Sequence, residues 1–232
     1  EAGNRSFDNN VPEELNRILI GQVATFHFAP TQRGANNLLE AGVVPSDIFL
    51  VGNTVVDALR AVIDTNPPVT NPSITDFFDA SAGKKLILLT LHRRENQDGK
   101  LDVIFSAIAA AATKHASDAA ILFPMHFTPL VRASATRHLG SLANVLLCEP
   151  IDYVEFVAVL KKVDFIVSDS GGIQEEALAL SKPILVLRDN TERPEIVESG
   201  LGHLVGENME LFQRKFTALV AGRDGTTLTK VA

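Results

Sequence analysis

Six short aliphatic runs punctuate the chain: IFLV at 48–51, KLILLTL at 85–91, AAILFP at 119–124, NVLLC at 144–148, DFIVS at 164–168 and PILVL at 183–187. Runs of this kind, continuous rather than alternating with polar residues, are the pattern of parallel strands buried on both faces. Between them lie helical patterns with ordinary start signals: Pro12 followed by Glu13 and Glu14, Thr31 before QRGANNLLEAG, Asp152 before YVEFVAVL and Pro194 before EIVESG. Gly42 and Gly200 are placed to stop helices. The alternation predicts βαβ units, and so an α/β fold with a Rossmann-like, doubly wound parallel sheet. DTNPPVTNPSITD, at 64–76, holds three prolines and no period; it reads as a loop. No internal repeat is visible, and the polar tail after Ala221 is expected to fray.

Composition narrows the function classes. The 232 residues suffice for one large domain or for two smaller ones sharing a cleft. No apolar run approaches the roughly 18 residues of a membrane span, and no signal-peptide pattern opens the chain, so a soluble, cytoplasmic protein without a membrane partner is expected. The net charge of −7 offers no footprint for nucleic acid, so a phosphate ligand would be small and locally bound. A single cysteine, Cys148, excludes an internal disulfide and a cysteine-based zinc cluster. The chain opens at Glu1 without methionine, on residues that read as the end of a buried strand; a fragment or processed chain is expected.

Three strand ends carry candidate chemistry, at the edge where open α/β sheets bind ligands. LILLTLHRREN puts His92, Arg93, Arg94 and Glu95 beyond one strand, a set that can bind and protonate an anionic leaving group or simply form a solvated cap. FPMHFTP puts His126 beyond another, where a packing role competes with ligand contact. SDSGGIQEE is the strongest signal. Ser170 can cap a helix whose first amides, at Gly171 and Gly172, stay open to an anion; the competing reading is a plain cap with glycines for close packing. Glu176 follows Gly172 by one turn on the same face, where it can accept from ribose hydroxyls, while Glu175 reads as an ordinary early-helix acid. Arg188 and Arg193, in LRDNTERPE, either close the nucleotide site from the side opposite SDSGG or pair with Asp189, Glu192 and Glu195. The acids and arginines of EAGNRSFDNNVPEELNR read, taken alone, as surface charge.

In combination, EAGNRSFD, PEELNR, FAPT, VGNTVVDAL, TLHRREN, SDSGGIQEE, KPILVLRDNTERPE and HLVG resemble the non-hydrolysing UDP-N-acetylglucosamine 2-epimerase family in order and near spacing, over about residues 1 to 206. The resemblance implies two Rossmann-like domains of the GT-B arrangement with a UDP-sugar between them. It implies interconversion of UDP-GlcNAc and UDP-ManNAc by elimination and re-addition of UDP, with no metal or nicotinamide cofactor. Carried onto this chain, Glu1 and Glu13 would be catalytic carboxylates and His92 would assist departure of UDP. Arg17 would support the sugar, Ser170, Gly171, Gly172 and Arg193 the diphosphate, Glu176 the ribose and Phe156 the uracil. Arg93 and His126 match positions that help bind a second UDP-GlcNAc as activator, although Thr128 replaces the asparagine usual in that motif. Asn4 stands where an apolar residue is usual. The implied organisation is a remnant of the first domain over 1–55, a UDP-binding domain over 56–206 and a helix with tail over 207–232. Without the family's opening segment and a catalytic aspartate expected before Glu1, the chain is expected to bind UDP with little or no turnover; a homodimer would require that segment. A catalytically inactive UDP-binding module and a fragment of a GT-B glycosyltransferase stay open as alternatives.

Overall fold

Five of the six aliphatic runs join one parallel sheet, with a sixth strand that the pattern did not reveal. The computed structural model describes residues 1–7, 12–92 and 99–223. Its larger sheet comprises β3 (Lys85–Thr90), β4 (Ala119–Pro124), β5 (Val145–Cys148), β6 (Phe165–Ser168), β7 (Ile184–Val186) and β8 (Gly202–Leu204), in the order β5-β4-β3-β6-β7-β8. Every pairing in it is parallel. The unforeseen strand, β8, is only Gly-His-Leu, too short and too mixed to carry a period.

Both faces of this sheet are covered, which is why its strands read as unbroken aliphatic runs. Ile87, Leu89, Ile121, Phe123, Phe165, Val167 and Leu185 face a core built with α5 (Lys100–Lys114), α6 (Pro129–Leu139) and α10 (Met209–Val220). Leu88, Leu122, Ile166, Ile184 and Val186 point the other way, onto α4 (Pro72–Ala80), α7 (Tyr153–Lys162), α8 (Gly171–Ala179) and α9 (Glu195–Glu198). Side chains two residues apart share a face, so each strand feeds both cores.

Two sequence expectations are corrected. The proline-rich stretch is not all loop: Asn71 accepts a bond from the Ser73 amide at 3.0 Å, Pro72 takes the first position of α4, and Ile74 is fully buried. Proline fits a helix start because no intrahelical partner is required of its missing N–H. The opening residues are not the end of a buried strand either. They form a turn in which Gly3, at φ +80°, lets the backbone press on Gly34; a Cβ there would lie 1.9 Å from the Gly34 carbonyl oxygen.

The remaining elements precede the sheet. They are α1 (Pro12–Val23), β1 (His27–Ala29), α2 (Gln32–Glu40), β2 (Ile48–Leu50) and α3 (Thr54–Asp64), with β1 and β2 forming a separate parallel pair. Among the described residues no helix is long and apolar enough to cross a membrane. The tail expected to fray falls, beyond Arg223, outside the described residues.

Candidate functional site

The strand order reverses between β3 and β6: chain-sequential strands run outward to one side through β4 and β5, and to the other through β7 and β8. Helices leave these two central strands to opposite faces, and a crevice opens at their carboxyl ends. His92 follows β3, and Asp169-Ser170-Gly171-Gly172 follows β6. The two ends are tied together. Thr90 Oγ1 and Ser168 Oγ lie 2.7 Å apart, the His92 amide donates to both oxygens of Asp169 at 3.2 Å, and His92 Nδ1 sits 3.1 Å from Asp169 Oδ1. Asp169 is wholly buried, and its carboxylate fixes the imidazole of His92. Sequence reasoning passed over Asp169, although an acid beside a glycine turn at a strand end was a usable signal.

Ser170 occupies the cap position of α8 but its side chain makes no capping bond, contrary to expectation. Its amide donates instead to Ser168 Oγ at 2.9 Å, and its carbonyl accepts from Gln174 Nε2 at 3.1 Å. The hydroxyl is thus not engaged in holding the helix. The two glycines divide the two readings of this turn. A Cβ on Gly171 would lie 2.6 Å from Arg193 Nη1 and 2.9 Å from Glu192 Oε1, so glycine there lets this ion pair close against the turn, and a methyl group would displace it. A Cβ on Gly172 would meet nothing within 4 Å. Packing therefore does not explain Gly172, whereas approach of a ligand to the first-turn amides does.

Arg193 packs beside this turn in a network of alternating charge. Its Nη2 donates to Glu1 Oε1 at 2.5 Å, its Nε lies 2.7 Å from Glu175 Oε1, and its Nη1 donates to Glu192. Glu192 also lies 2.9 Å from Arg188 Nη2 and 3.7 Å from Arg17 Nη2. Arg17 grips Glu1 Oε2 with two donors, at 3.0 and 2.7 Å. Arg193 thus lies beside the turn rather than opposite it, and of the acids named for it pairs with Glu192. Burial pushes the Glu192 carboxyl up, but Arg188 and Arg193 outweigh it and hold it at about 2. The same contest, with Arg17 and Arg193 prevailing over burial, leaves Glu1 below its ordinary value. Glu175 is no ordinary early-helix acid. Burial drives it upward despite Arg193, with Glu1 adding to the rise.

Glu176 is buried one turn into α8, and Tyr153 Oη donates to its Oε1 at 3.0 Å. Burial raises its pKa, the Tyr153 bond opposes the rise and neighbouring Glu175 adds to it.

His92, His126 and Phe156 line one cavity of about 300 Å³ with Thr90, Pro124 and Phe127. The His92 and His126 rings stand 5.7 Å apart, and His126 Nδ1 lies 2.8 Å from Thr128 Oγ1. Arg93, with Arg94 and Glu95, falls outside the described residues. Glu13 is exposed on α1 and shares a second cavity, about 340 Å³, with Glu1, Arg17 and His27. Its neighbour Glu14 is the buried member of the pair, accepting from the Ser6 amide at 2.8 Å. That burial makes Glu14 a structural anchor for the opening segment, a role the bare sequence did not separate from that of Glu13.

A family model described as UDP-N-acetylglucosamine 2-epimerase matches residues 1–229. The chain is 43% identical over 227 residues to the UDP-N-acetylglucosamine 2-epimerase of Yersinia pestis, covering 95% of this chain and 60% of that protein. It is similar to the S. aureus MnaA-UDP co-structure, with 39% identity and a TM-score of 0.88, over 99% of this chain and 61% of that one. A further similar structure is the UDP-GlcNAc 2-epimerase from Neisseria meningitidis bound to UDP-GlcNAc, at 37% identity and a TM-score of 0.87, over 99% of this chain and 64% of that one. The chain spans about 60% of the length of the curated relatives it matches.

Proposed function

Since this chain belongs to the UDP-N-acetylglucosamine 2-epimerase family, we propose that its β3–β6 crevice holds the UDP of a UDP-sugar, in an enzyme that interconverts UDP-GlcNAc and UDP-ManNAc. The reaction is elimination of UDP followed by its re-addition after protonation of the other face at C2. Its sheet is of the Rossmann-like, GT-B type of that family. We assign residues 1–55 to the carboxyl part of a first domain, 56–206 to the UDP-binding domain and 207–232 to a closing helix and tail.

The carrying observation is the open first turn of α8, with no neighbour within 4 Å of a Cβ built on Gly172. The amides of Gly171 and Gly172, the Ser170 hydroxyl and the positive end of the helix take the diphosphate. Negative charge grows on UDP as it leaves, so these fixed donors act most strongly in the transition state. His92, oriented by Asp169, supplies a proton to the departing group. Arg193 adds positive charge beside the turn, and a bound diphosphate competes with Glu1 for its Nη2. Glu1, kept ionised by Arg17 and Arg193, is in the unprotonated form that accepts the C2 proton; Glu13 supplies the second carboxyl from the same cavity. Arg17 supports the sugar end, Phe156 lies against the uracil and Glu176 accepts from the ribose. His126, with Arg93, is assigned to a second UDP-GlcNAc, where Thr128 holds the imidazole.

Titration calorimetry tests this reading. UDP is expected to bind the chain, and Ser170→Ala combined with Glu176→Ala to weaken it about 100-fold, the loss of two polar contacts. Absence of UDP binding to the folded, unmutated chain overturns the reading. Deuterium entry at C2 of UDP-GlcNAc in heavy water reports turnover separately, and binding without exchange selects the inactive UDP-binding module.

A further inference from the structure

We propose that Tyr153 is a positioning residue for nucleotide selection: its hydroxyl holds one oxygen of Glu176 so that the other is presented to the ribose. The inference rests on the assignment of Glu176 to the ribose. Tyr153 opens α7, and Glu176 lies one turn inside α8, so two separate helices set the carboxylate's orientation. Among the described residues Tyr153 is the one hydrogen-bond donor to Glu176, at 3.0 Å onto Oε1. Oε2 is thus left to accept from a ligand. The bond also favours the ionised carboxylate in a place where burial and Glu175 disfavour it, and an ionised acceptor is what a pair of ribose hydroxyls requires. Tyr153 itself is 40% exposed, so it contributes little packing that its hydroxyl would be needed to maintain. It is the chain's single tyrosine, and there is no tryptophan, which makes its emission a direct probe of this contact.

The test is a two-by-two cycle, read by calorimetry, in which the unmutated chain and Tyr153→Phe are each titrated with UDP and with 2′,3′-dideoxy-UDP. Tyr153→Phe is expected to weaken UDP about tenfold, the cost of one hydrogen bond to a charged acceptor, and to leave the dideoxy nucleotide within about twofold. Emission of Tyr153 is expected to rise in Glu176→Gln, because a carboxylate acceptor quenches an excited phenol by taking its proton. Equal losses for both nucleotides, or unchanged emission in Glu176→Gln, overturn the proposal while leaving the UDP site standing. Failure of UDP to bind the unmutated chain overturns the site assignment first.

Discussion

The six-stranded sheet and the segment before it are held by different forces. Every central strand of the sheet is covered on both faces, and one of its two cores holds fully buried phenylalanines at 105, 123, 165, 212 and 216. The β1–β2 pair, in contrast, has a core of Ala29, Ala35 and Leu38, while Phe26, Phe28 and Phe49 are 59%, 57% and 41% exposed, with Phe49 meeting Phe26 edge-on and Phe28 at a tilt. Ion pairs tie this segment to the sheet, Glu1 to Arg193, Arg17 to Glu192, and Arg33 to Glu198 at 2.5 Å, while α3, with Leu59 fully buried, packs against α7 and α8. The candidate site lies on this seam. An apolar core secures the turn proposed for the diphosphate, whereas the carboxylates proposed for proton transfer are secured by charges, which rearrange at lower cost than packed side chains.

The largest test of this contrast is a pair of truncations. Phe216→Ala, in the sheet core, is expected to cost about 3–5 kcal/mol in denaturant unfolding, and Phe28→Ala, exposed on the small pair, less than about 1 kcal/mol. Comparable losses at the two positions would erase the distinction. Next comes the seam itself. Glu192→Gln removes the carboxylate paired with buried Arg188, and one of the three on Arg193, and is expected to cost about 3 kcal/mol at pH 7. Because the folded state holds Glu192 at about 2, below its ordinary 4.5, its contribution is present above pH 4.5 and lost as pH falls toward 2. The gap between variant and parent therefore closes over that window; a gap independent of pH would show that shape rather than charge maintains the seam. The smallest effect on stability, and the sharpest on binding, separates the two glycines. Gly171→Ala collides with Arg193 and is expected to cost about 1–3 kcal/mol. Gly172→Ala is expected to keep stability within about 1 kcal/mol, as a helix-favouring change in open space, yet to weaken UDP more than tenfold by placing a methyl group over the amides. Unimpaired UDP binding by Gly172→Ala would return the turn to a packing role.

The sheet was legible because burial on both faces leaves uninterrupted aliphatic runs; β8 and β1, three residues each with a histidine in both, leave none. The start of α4 was hidden by Pro72, which is read as a breaker unless the Asn71 cap is noticed. At the site, spacing along one helix placed Gly172 and Glu176 on a common face. Partners arriving from elsewhere were not legible. Asp169 reaches His92 across 77 positions and Tyr153 reaches Glu176 across 23, separations at which no local period carries information. Arg193 returns from beyond β7 to meet Glu175, which is why that acid looked unremarkable. The resemblance supplied roles for residues, but not that Arg193 is already shared among three carboxylates.

The central claim, that the first turn of α8 holds the diphosphate, is tested most directly by amide exchange of Gly171 and Gly172 with and without saturating UDP, followed by NMR. Both amides are expected to become at least tenfold slower to exchange when UDP binds, as open donors gain a fixed acceptor. Bound UDP that leaves both rates unchanged would contradict the account.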